Sequence, residues 1–105
     1  MKAWQQFTTF FNRIAGDEEI GTSHISIYMA LFHSWKQSSF ATVFNISRRE
    51  IMHYSKIGSI ATYHKCIRQL QEKGHITYQP SYNPHLGSQV SLLVGENPSE
   101  EKGGA

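Results

Sequence analysis

Large apolar residues recur along this chain at helical spacing in its first three quarters, and at alternate positions near its end. Trp4, Phe7, Phe11 and Ile14 stand three and four apart, with Phe10 widening the stripe. This predicts an amphipathic helix stopped by Gly16 and the acidic run after it. A helix this short is not stable alone in water, so its apolar face must dock, either on the rest of the chain or on a second copy. Thr22 or Ser23 can cap a second helix reaching about Gln37, with Ile25, Tyr28, Leu31, Phe32 and Trp35 facing inward. Phe44, Asn45 and Ile46 alternate apolar and polar, the mark of a short strand.

From Ser47 onward the helix signals become denser. Ser47-Arg48-Arg49-Glu50 has the form of a capping box, opening a helix that buries Ile51 and Tyr54 and ends near Lys56. Gly58 suits a tight turn, and Ser59 can cap the next helix. On that helix Tyr63, Cys66, Ile67 and Leu70 form an inward stripe, and Gly74 stops it. Ile76 and Tyr78, then Val90, Leu92 and Val94, follow the period of two expected of a half-buried hairpin. The long connection between them, rich in turn residues, reads as a wing tip.

Two capped helices joined by a tight turn and followed by a hairpin form the arrangement of a winged helix-turn-helix. The expected fold class is α+β, mainly α with a small β-hairpin and an extra N-terminal amphipathic helix. The expected division is residues 1–19 for docking or dimerisation, 20–94 for the winged helix and 95–105 for a disordered tail without apolar side chains beyond Ala105.

Composition narrows the function. Hydrophobic residues make up 39% of the 105 and aromatics 12%, enough for one modest core. Cys66 is the single cysteine, so no intramolecular disulfide framework is expected. The N-terminal stretch lacks an apolar signal-peptide core and no run approaches a membrane span, so a cytoplasmic location without membrane contact is the expectation. The formal net charge of +2 conceals a segregation. Between Ile20 and Gly95 stand seven basic residues against Glu50 and Glu72, a segment net of +5 that suits a polyanionic partner.

With the inward stripe assigned, helical geometry leaves Ser59, Ile60, Ala61, Thr62, His64, Lys65 and Arg68 for solvent or ligand. Small side chains at Ser59, Ala61 and Thr62 let the helix end approach base edges. Thr62 can hydrogen-bond a base or phosphate, and Ala61 can meet a thymine methyl. His64 is a candidate polar contact, while Lys65 and Arg68 lie where such a helix meets phosphates. Arg48 and Arg49, at a helix start that itself favours phosphate, and Lys56 complete the backbone contacts. Tyr82, Asn83, His85 and Ser88 are the wing candidates, although no arginine or lysine stands between Gly74 and Gly95. The six histidines show no metal-ligand spacing, and the folded segment holds neither a carboxylate pair nor a Gly-rich phosphate loop. No metal, cofactor or enzymatic activity is therefore expected.

The stretch IATYHKCIRQLQEKGHI resembles the winged-helix domains of bacterial regulators such as the MarR and GntR groups, with Leu70, Gly74 and Ile76 matching their usual exit from helix into wing. The segment SKIGSIATYHKCIRQLQEKGHITYQPSYNPHLGSQV is similar to small winged-helix proteins of Bacteroides-type bacteria, many of them linked to mobile elements. The resemblance implies sequence-directed binding of double-stranded DNA, in transcription regulation or in replication and transfer of a mobile element. A homodimer through Trp4, Phe7, Phe11 and Ile14 is a further expectation. The alternative is a winged helix serving as a protein-protein interaction module.

Overall fold

Among the described residues, caps, glycines and apolar periodicity set out four helices and three strands. Their order is α1 (Ala3–Ile14), α2 (Thr22–Gln37), β1 (Phe44–Ile46), α3 (Arg48–Ser55), α4 (Ile60–Glu72), β2 (Ile76–Gln79) and β3 (Ser88–Leu92). The structure is a computed structural model that describes residues 3–81 and 87–92. The expected wing contacts Tyr82, Asn83 and His85, the strand residue Val94 and the tail lie outside the described residues. The chain divides into two compact units, one of which is Glu19–Leu93 while the other contains α1.

Within α1 the buried positions are Gln6, Phe10 and Ile14, four residues apart. This corrects the expected stripe. Trp4 is 73% exposed and Phe11 40%, so only Ile14 of the four anticipated contact residues is buried. The i, i+3 and i, i+4 rows diverge around a helix, and the buried line follows the second row through Phe10. Phe11 meets the rings of Phe7 and Phe10 edge-on at centroid distances of 5.3 and 5.6 Å.

In the larger unit, α2 is capped by Gly21 rather than Thr22 or Ser23. The Gly21 N–H donates to His24 Nδ1 at 3.0 Å, and the other ring nitrogen, Nε2, lies 2.6 Å from Gln69 Oε1 on α4. Because Nδ1 accepts, Nε2 carries the proton and donates to Gln69. Burial centres on Ile27, Tyr28, Ala30, Leu31 and Trp35, whereas the anticipated Ile25 and Phe32 are half-buried. The Phe40 N–H reaches back to the Trp35 carbonyl at 2.9 Å, with Ser39 and Phe40 both left-handed.

Ser47 caps α3 through its hydroxyl, which accepts from the Glu50 amide at 3.0 Å, so this arm of the expected capping box is formed. Ile51 is fully buried, but Tyr54 is 48% exposed. Ser55 takes the inward position instead, its carbonyl accepting from the Ser26 hydroxyl of α2. The left-handed residue that stops α3 is Lys56, with φ 64°, and not Gly58, to which the turn was assigned. At the far end of α4, the Gly74 N–H bonds the Gln71 carbonyl and the His75 N–H bonds Leu70, at 3.0 and 2.9 Å. With Gly74 at φ 83° this is a Schellman stop.

The expected hairpin becomes a three-stranded antiparallel sheet in the order β1-β3-β2, because β1 joins it on the β3 side. Phe44 pairs with Val90 and Ile46 with Ser88, while Ile76 pairs with Leu92. Phe44, Ile46, Ile76, Val90 and Leu92 point inward and meet Tyr28, Leu31, Ile51, Tyr63, Ile67 and Leu70 in one apolar core. The chain leaves β1, passes through α3 and α4, and returns to the sheet as β2. This path holds α4 across the unit with one face in the core and the other in solvent.

Candidate nucleic-acid interface

Burial of Tyr63, Cys66, Ile67 and Leu70 fixes the rotation of α4 as its sequence implies. The opposite face carries Ala61, His64, Lys65 and Arg68, all exposed, with Ile60 at its start and Glu72 at its end. Ala61, Lys65, Arg68 and Glu72 follow one another at spacings of four, three and four, forming a continuous strip along the helix. The strip runs from methyl groups through two cations to a carboxylate.

Ser59 is exposed, and its hydroxyl accepts from the Thr62 amide at 3.2 Å as the cap of α4 while its own O–H can still donate. Thr62 is half-buried and lies beside the strip rather than on it. His64 is exposed, its ring edge-to-face with Tyr63 at 5.3 Å. Arg68 Nε lies 3.9 Å from Glu72 Oε2, one turn on, with both side chains well exposed. A pair this long and wet holds Arg68 only loosely, leaving the guanidinium available to a phosphate.

Arg48 and Arg49 occupy the first turn of α3 and are exposed, as is Lys56 at its end. Arg48 also lies near the junction of α4 with the sheet. Burial, and next the Tyr78 hydroxyl, push the Tyr63 phenol well above its usual range, while the charge of Arg48 pulls it down. The Tyr63 hydroxyl is buried and has no well-formed hydrogen bond even to its Tyr78 neighbour. Tyr78 bonds instead with Ser88, their hydroxyl oxygens 3.0 Å apart. Ser88 therefore stands in β3 and not in the connection between the strands. It is a half-buried residue of β3, paired opposite Ile46 and engaged with Tyr78.

Beside the strip, between α4 and β2, runs a groove of about 450 Å³ lined by His64, Ile67, Arg68, Gln71, Glu72, Tyr78 and Pro80. Gln71 and Glu72 were legible as outward positions from the helical period alone. Tyr78 and Pro80 were not, because the hairpin's position against α4 is a long-range matter. No protein-family model, curated protein or solved structure matches the chain.

The strip presents two cations, Lys65 and Arg68, and the methyl group of Ala61 to solvent. Burial pushes the Cys66 thiol above its ordinary value against the pull of Lys65, which leaves it protonated and a poor nucleophile. Among the described residues no three histidine, cysteine or acidic side chains are grouped to hold a metal ion. Among them, too, no helix is long and apolar enough to cross a membrane.

Proposed function

We propose that the unit Glu19–Leu93 is a winged helix that binds double-stranded DNA without enzymatic activity. It would serve transcriptional control, or replication and transfer of a bacterial mobile element. The observation that carries this reading is the strip on α4. Small and basic side chains face solvent along a helix whose other side is locked into the core. The topology supports it as well, since α3 and α4 intervene between β1 and β2 in a sheet ordered β1-β3-β2. In this reading α4 enters the major groove, Lys65 and Arg68 meet phosphates at its borders, and Arg48, Arg49 and Lys56 contact the backbone from α3.

A salt series on duplex DNA tests this. Lys65→Ala and Arg68→Ala should each weaken binding and flatten the slope of log K against log salt by about one unit. Absence of duplex binding by the intact chain at low ionic strength would overturn the reading. It would favour a protein-interaction module, to which the exposed Phe40 and Val43 between α2 and β1 lend support.

Lys56 offers an independent check, because its two roles oppose each other. A lysine at φ 64° costs about 1–2 kcal/mol relative to a residue free of that strain. Lys56→Gly should therefore raise stability in urea by about 1 kcal/mol while lowering duplex affinity. If affinity is unchanged in the stabilised variant, Lys56 is no phosphate contact.

A further inference from the structure

The first turn of α4 exposes methyl groups beside its capping serine. Ile60 is 49% exposed, Ala61 beside it is exposed, and Ile57 in the preceding turn is half-buried. Ser59 caps the helix while its O–H can still donate, and Thr62 is half-buried, so the exposed apolar part of this turn is Ile60 with Ala61. A half-exposed isoleucine leaves apolar surface in water that a partner could cover. The neighbours on the same face define that partner's charge. His64 follows Ile60 by one turn, Lys65 follows Ala61 by one turn, and Arg68 follows by two. The surface thus joins an apolar tip to a cationic stem.

A polyanion that presents isolated methyl groups complements such a surface. In the major groove of duplex DNA the only methyl is the C5-methyl of thymine. We infer that Ile60, assisted by Ala61, contacts thymine methyl groups and so acts as a specificity-determining residue. The inference rests on the duplex-DNA reading and names the bases that the first turn of α4 selects. The preference comes from shape and burial and is independent of any hydrogen bond from the Ser59 hydroxyl.

Duplexes selected by the intact chain from a random pool provide the probe, each compared with copies carrying deoxyuridine at single thymine positions. At one or two positions inside the protected region, loss of the methyl should weaken binding about three- to fivefold, the factor for one buried methyl group. Ile60→Ala, a surface change, should bind the uracil duplex like the parent chain and lose the thymine preference. Ile60→Val should retain part of it, which guards against a general folding defect. Equal affinity for thymine and uracil duplexes at every position would overturn the inference while leaving duplex binding intact. Undiminished thymine preference in Ile60→Ala would overturn it too, by assigning the methyl contact to another side chain. Failure of the intact chain to bind any duplex would remove the DNA reading and this inference together.

Discussion

Replacing Leu70 with alanine is expected to destabilise the protein by about 2–5 kcal/mol, the range for truncating a buried leucine. Leu70 is fully buried on the inward stripe of α4 with Tyr63, Cys66 and Ile67. Its carbonyl also accepts the His75 N–H that closes the helix, so the cavity would open beside the Schellman stop. The helix cannot swing inward to fill that space freely, because Lys73 and Gln69 tie it to Glu19 and His24. Urea denaturation monitored by far-UV circular dichroism measures the loss. None of the exposed residues of the α4 strip is altered, so duplex affinity per folded molecule should be preserved. A loss below about 1 kcal/mol would mean that the inward stripe of α4 is not what anchors the helix.

Gly87→Ala should cost about 2–4 kcal/mol for a different reason. Gly87 has φ 70°, and a Cβ there would sit 2.5 Å from the Ile46 carbonyl oxygen. That atom is backbone in the strand paired with β3, so it cannot rotate away as a side chain could. Asparagine, which tolerates left-handed backbone, should rescue little, because it carries the same Cβ. Rescue close to wild-type stability by Gly87→Asn would show that backbone strain alone matters and that the close approach does not. The disturbance also has a route to the proposed DNA face. β1 ends at Ile46, Ser47 follows as the cap of α3, and Arg48 and Arg49 form the first turn. Separation of β1 from β3 would displace both arginines without touching them.

Much of the candidate face could be read from local patterns. The stripe Tyr63, Cys66, Ile67 and Leu70 needed only the helical period, and its burial leaves Ala61, His64, Lys65 and Arg68 outward. Ser47, Ser59 and Gly74 act where their chemistry places them, because capping bonds and left-handed stops involve residues within a few positions of each other. Patterns failed where two outcomes were locally equivalent. Tyr54 and Ser55 are adjacent on α3, and only the packing of α2 decides that the serine turns inward. In α1 the buried row runs through the polar Gln6, which apolar spacing cannot select.

His24 shows how contacts distant in sequence redefine a residue. Its ring replaces the serine or threonine cap expected for α2 because Gln69, 45 positions away, fixes the opposite nitrogen. Ser88 changes from wing donor to strand residue for a similar reason. β1 joins β3 and Tyr78 engages the serine hydroxyl, neither of which the period of two can announce. By itself, then, the sequence determined the helices, the serine caps of α3 and α4, the alternating strands and the outward strip of α4, since each follows from interactions within a turn or two of chain. Only the tertiary structure decided that β1 completes a three-stranded sheet, that His24 rather than a hydroxyl serves the start of α2, and that Tyr78 and Pro80 wall the groove beside α4. Those outcomes depend on competition among groups remote in the chain for the same space and the same hydrogen-bond partners, and that competition exists only once the chain is folded.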